Sequence, residues 1–164
     1  MSQEIFEGRF TAKTNQQFVV FLVGMRINKL RSIFKCLPLF RRFVAMVYQL
    51  KANKSHGLLG AKRWFAWREI MYIQYWDSLE SLEKFAQSKE GAHIQAWREY
   101  NLMFAKSAEL GIWHEKYLLD AEQVDCVYSN MPRIGLAAAM QQVAVVPQSD
   151  TEVQTKLNQE KNAK

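Results

Sequence analysis

The sequence predicts an α+β protein with a ferredoxin-like βαββαβ core, an antiparallel sheet and one extra strand. Three observations carry that expectation. Phe18 to Ile27 is apolar on both alternating sets of positions, as in a strand covered on two sides. Two apolar series at helical spacing, Leu30 to Leu50 and Ile94 to Ala108, interrupt the strand-like runs. Short aromatic-rich runs of strand type stand between and after them. With 49% apolar and 13% aromatic residues, the 164-residue chain has material for one core and does not fit a disordered chain or a coiled coil.

Residues 1–16 are mostly polar and read as an N-terminal arm, 17–131 as the ferredoxin-like domain, 132–146 as an irregular extension and 147–164 as a disordered tail. After the first strand, Asn28 is placed to cap a helix carrying Leu30, Ile33, Phe34, Leu37, Phe40, Phe43, Val47 and Leu50. Pro38 removes a backbone donor in that helix, so a break or kink into two pieces is expected there. Residues 52–60, with Ser55, Gly57 and Gly60, read as a loop, either a flap or a plain helix-to-strand connection. Ala61 to Trp67 and Ile70 to Trp76 then form a hairpin turning at Arg68 and Glu69. Ser78 caps a helix that stops near Gly91, and a second helix runs from His93 to Leu110 and ends at Gly111. Ile112 to Leu119 and Val124 to Tyr128 read as the last strands. A sheet with helices on one face leaves the other bare, and a second copy packed against it is the simplest cover, so a homodimer is expected.

Charge is unevenly distributed. No Asp or Glu lies between Gly8 and Arg68, a stretch with thirteen Lys and Arg, whereas from Glu69 onward acids outnumber bases. Such a stretch is either a plain solvated basic helix or suits an acidic ligand, an anionic membrane surface or the acidic half of a second copy. Nucleic acid is not expected as a partner, because no recognition motif accompanies the charge. The longest apolar run, Phe18 to Met25, is too short to span a bilayer, and no cleavable leader is recognisable, so no transmembrane segment and a cytoplasmic location are expected. Cys36 and Cys126 lack CxxC partners and read as packing thiols.

The three histidines, His56, His93 and His114, show no metal-ligand spacing, so no metal site is expected. Phosphate loops, nucleophile elbows and kinase motifs are likewise missing. His93, Trp97 and Asn101 fall one turn apart on one helix face beside Phe104, where they either line a pocket for an aromatic molecule or serve neighbouring backbone. His114 and Glu115 are adjacent in a strand and face opposite sides of the sheet, and the sequence leaves open which faces the helices. Arg26, at the end of the first strand, is either an anion contact or an ion pair.

The segments FLVGMRINKL, HGLLG, QYWDSLESLEKFAQS, HIQAWREYN, GIWHEKY and YSNMPRIGL resemble a bacterial and fungal family whose fungal members are monooxygenases of natural-product pathways. The similarity runs from about Gln17 to Met140. The resemblance implies a dimeric α/β barrel of two ferredoxin-like subunits and kinship with antibiotic-biosynthesis monooxygenases. Some of those oxidise phenolic or quinol substrates with no metal or flavin, and more distant relatives use haem. The matching polar and aromatic positions are Arg26 and Asn28, then His93, Trp97 and Asn101, then Trp113, His114 and Glu115, and Asn130. The function so implied is a monooxygenase acting on a small hydrophobic, aromatic or polyketide-like substrate without a cofactor. His93 or His114 would be the base, Asn101 and Arg26 would hold the oxyanion, and Tyr75, Trp97, Phe104 and Trp113 would contact the substrate. The alternatives are a haem-binding barrel with a histidine ligand and a non-enzymatic ligand-binding or stress-response module.

Overall fold

The computed structural model describes residues 3–52, 56–88 and 92–145. The predicted first strand forms with the predicted bounds, Phe18–Ile27 (β2), but a strand precedes it: Phe6–Lys13 (β1) lies in what reads as a polar arm. After a 3-10 turn at Leu30–Ser32 comes one long helix, Ile33–Ala52 (α1). The hairpin Leu58–Ala66 (β3) and Glu69–Trp76 (β4) follows, then Leu79–Gln87 (α2), Ala92–Met103 (α3) and Leu110–Leu119 (β5). The chain closes with Tyr128–Met131 (β6), a single helical turn at Leu136–Ala139 (α4) and Gln141–Ala144 (β7).

The main sheet has the order β3-β4-β2-β5 with every neighbour antiparallel, which is the ferredoxin-like arrangement of β2-α1-β3-β4-α2/α3-β5. A second sheet of order β6-β1-β7 joins the two ends of the described chain. Strand alternation decides what each face carries. Val19, Val23, Met25 and Ile27 of β2 and Ile70, Tyr72 and Trp76 of β4 face the helices and pack with Cys36, Leu39, Phe43, Val47, Phe104 and Leu110, forming the core. The other face carries Val20, Leu22, Met71, Ile73 and Trp113, all only half-buried.

Several expectations are corrected. The helix does not break at Pro38: α1 runs through it. Pro38 and Phe34, whose carbonyl loses its donor, both lie on the exposed side, where water can take the freed group. Asn28 does not cap α1; its backbone N–H donates to the Glu109 carbonyl at 2.8 Å. The hairpin turns at Trp67 and Arg68, with Trp67 at φ 32°, so Glu69 belongs to the strand. The second helix ends at Met103, not Leu110, and Gly111 is a strand residue opposite Arg26. The run Val124 to Tyr128 is mostly irregular, and β6 begins only at Tyr128. The 132–146 stretch contains α4 and β7. The tail placed at 147–164, and Gly91, lie outside the described residues.

Candidate functional site

A groove of about 470 Å³ runs along the outer edge of β3. One wall is the C-terminal half of α1, with Val47, Tyr48 and Lys51; the other is the segment Arg133 to Ala139; Tyr72 and Tyr75 of β4 complete it. Local sequence explains both walls. Because β3 is an edge strand, it offers unpaired backbone groups, and Lys51 Nζ donates to the Ala61 carbonyl at 2.9 Å, fixing α1 to the strand. On the other side Gly60 lets α4 close in: a Cβ at residue 60 would stand 2.8 Å from Ala139 Cβ. Gly135, at φ 61°, makes the turn into α4, and a Cβ there would lie 3.4 Å from the Tyr128 hydroxyl and 3.5 Å from that of Tyr75.

The groove's charge is one-sided. Among the described residues its lining includes Lys51, Lys62, Arg63 and Arg133 and no Asp or Glu. Among the described residues no carboxylate lies within 4.0 Å of any of these four cations. Aromatic faces hold the two arginines instead: the Arg63 guanidinium lies 5.0 Å from the Phe65 ring and 5.8 Å from that of Tyr48, and Arg133 lies 5.0 Å from Phe6. Burial pushes the Tyr75 phenol up to about 12, with Tyr128 and Cys126 adding to the rise. Burial also raises Tyr72, against the hydrogen bond and charge of Arg63. Both phenols are therefore neutral at physiological pH and able to donate. The Tyr128 hydroxyl in turn accepts from the Ala137 N–H at 3.4 Å, tying β6 to α4.

Of the residues singled out in the sequence, Tyr75 is in this groove and the others are elsewhere. His93, at the start of α3, contacts the Ala86 carbonyl through Nε2 at 2.8 Å, and its ring is 4.8 Å from that of Phe85; Nδ1 is buried without a partner. His114 is on the helix side of β5, exposed, 5.7 Å from the Phe21 ring, while Glu115 is on the other face and accepts from the Tyr117 hydroxyl. Trp97 is 52% exposed and stacked on Tyr100 at 5.5 Å, and Asn101 is exposed one turn on. Phe104 is buried in the core, with the Lys35 ammonium 5.1 Å from its ring. Arg26 is paired with Glu69 at 2.8 Å, the ion-pair outcome of its two readings, and Trp113 lies over Gly24 on the open sheet face. Among the described residues no hydrogen bond or ring contact joins His93, His114 and Asn101 to one another.

Sequence reasoning passed over Arg63, Lys51 and Arg133 as site residues. The available signal was the acid-free stretch before Arg68, which contains Lys51, Lys62 and Arg63. Haem does not fit this groove. Among the described residues no histidine, cysteine or methionine lines it, and burial favours the protonated form of Tyr72 and Tyr75, which is a poor iron ligand. Among the described residues no cluster of three or more His, Cys, Asp or Glu side chains is placed to hold a metal, and no helix is long and apolar enough to cross a membrane.

Comparison with known proteins gives a family match and, among solved structures, distant similarities. The family described as monooxygenase af470-like matches residues 18–136. Protein SO0527 from Shewanella oneidensis is similar at 13% identity, TM-score 0.42, over 72% of this chain and 97% of that one. An aldoxime dehydratase is similar at 15% identity, TM-score 0.48, over 86% of this chain and 45% of that one. No curated protein matches the sequence.

Proposed function

The chain belongs to the monooxygenase af470-like family, and from that membership we propose that it oxidises a small aromatic or polyketide-like molecule bound as its anion in the β3-edge groove. The observation that carries the reading is the groove's composition: three tyrosines and four cations with no carboxylate to neutralise them. Aromatic walls stack on a ring, and Arg63 and Lys51 stabilise a phenolate or enolate more than its neutral form. Tyr75, kept protonated by burial, donates a hydrogen bond to the same oxygen.

An anion so held is electron-rich enough to react with molecular oxygen directly. At an activated CH2 flanked by aromatic rings, one oxygen atom becomes the new carbonyl. The other leaves as water with the two hydrogens the carbon gives up. The substrate supplies all the electrons, so the reaction balances without a further reductant. In this reading the cations lower the substrate's own pKa. Solvent at the open groove accepts that proton; a base at His93 or His114 would belong to a site away from this groove, and the paired variant His93→Ala with His114→Ala tests that separately.

The same reading pairs two copies through the open sheet face, where Val20, Leu22, Met71, Ile73 and Trp113 are half-buried in a single chain. Oxygen uptake with anthrone as probe, and transfer of one labelled oxygen atom to the product, tests the proposal. Uptake that falls at least about tenfold in Arg63→Gln supports it. Tight binding of the probe with no uptake assigns the groove to a ligand-binding module instead.

A further inference from the structure

Helix α1 carries two apolar stripes, and the fold uses only one. Cys36, Leu39, Phe43, Val47 and Leu50 face the sheet and are buried. Leu30, Ile33, Phe34 and Leu37, at spacings of three, one and three through the 3-10 turn and the first turns of α1, are 50%, 45%, 84% and 50% exposed. Single exposed apolar residues are ordinary, but four on one helical stripe form a face that water does not favour.

The surroundings of that stripe say what covers it. From Lys29 to Arg42 the chain contains Lys29, Arg31, Lys35, Arg41 and Arg42 and no acid. Lys35 is paired with Glu109 at 2.7 Å and Arg42 with Glu99 at 3.0 Å, and Lys29 donates to the Ser107 carbonyl at 3.1 Å. Arg31 and Arg41 are exposed and, among the described residues, have no carboxylate within 4.0 Å. A second copy seated on the same face by a two-fold axis would bring these like charges together, a repulsion that opposes the contact. A nucleic acid would satisfy the arginines and leave the Phe34 ring against phosphate.

We infer that the start of α1 is a docking face for an anionic lipid bilayer: Leu30, Ile33, Phe34 and Leu37 enter the acyl boundary while Arg31 and Arg41 meet the lipid headgroups. The helix lies on the surface and does not cross it, since its opposite stripe is committed to the core. This rests on the exposed stripe alone and stands or falls independently of the groove chemistry.

The test is co-sedimentation of the full chain with vesicles of phosphatidylcholine alone and of phosphatidylcholine mixed with phosphatidylglycerol. The inference expects pelleting with the mixed vesicles that weakens in high salt. It expects a loss of at least about tenfold in Phe34→Ser with Leu37→Ser, and weakened binding in Arg31→Gln with Arg41→Gln. Circular dichroism confirms that the variants, which sit outside the core, stay folded. No pelleting with mixed vesicles, or pelleting that ignores these substitutions, overturns it. So does dissociation of an oligomer by Phe34→Ser in the absence of lipid, which gives the stripe to a second copy. Salt-sensitive binding to duplex DNA that needs Arg31 and Arg41 but not Phe34 overturns it as well.

Discussion

The indole of Trp113 lies directly over Gly24, the residue paired with it on the neighbouring strand, so closely that a Cβ on residue 24 would stand 2.7 Å from the ring nitrogen. That contact spans β2 and β5 on the sheet face away from the helices, and it explains a glycine inside a strand of mostly large apolar residues.

Gly24→Ala is expected to displace the Trp113 ring and destabilise the fold by about 1–3 kcal/mol. Denaturant unfolding followed by tryptophan fluorescence measures both effects. A variant as stable as the parent would show that the ring has other room.

Burial raises the Cys36 thiol, with the Glu109 charge adding to the rise and Lys35 opposing it, whereas Cys126 is partly exposed. A thiol reagent at mildly alkaline pH is therefore expected to modify Cys126 promptly and Cys36 only when the chain unfolds. Prompt reaction of both thiols would contradict the packing of α1 on the sheet.

The Tyr75 phenol supplies a pH dependence with a definite sign. Its folded value, about 12, lies above the ordinary phenol value. The neutral form is the one the fold favours. Its contribution is complete below about pH 10 and is lost as pH rises through about 12. The melting temperature of the parent should fall more steeply across that alkaline window than that of Tyr75→Phe. Parallel curves would mean that the phenol is not buried beside Gly135 as described.

Ser78 Oγ accepts from the Ser81 N–H at 3.1 Å and caps α2, as the sequence predicts. Ser78→Ala should cost about 0.5–2 kcal/mol, read from a thermal or urea melt, while Ser88→Ala, just past the helix end, should cost less.

The parts of the fold that sequence made legible are those where periodicity and burial agree. β2 is apolar on both faces and therefore unmistakable, and β4 alternates buried and half-buried residues along its whole length. What escaped depended on distant partners. β1 is polar enough to read as an arm because it lies in a small peripheral sheet, where its only requirement is to pair with β6 and β7. Leu110 and Gly111 continue the apolar pattern of α3 but become strand because they pair with Ile27 and Arg26. The surroundings of the candidate site residues depend on distant partners as well. His93 and Asn101 do share a helix face, but what that face meets is decided by how α3 seats on α1, which no spacing reveals. The groove is built from α1, β3 and a segment some seventy residues later, brought together because Gly60 admits Ala139.

Cations of the β3-edge groove that bind an aromatic molecule as its anion lower the pKa of a phenol seated there. The most direct measurement is an absorbance titration of 4-nitrophenol in the presence of excess protein. A midpoint lowered relative to the free phenol is expected in the parent, and one restored toward it in Arg63→Gln. A bound phenol whose midpoint is unshifted or raised, or a shift indifferent to Arg63, would contradict it.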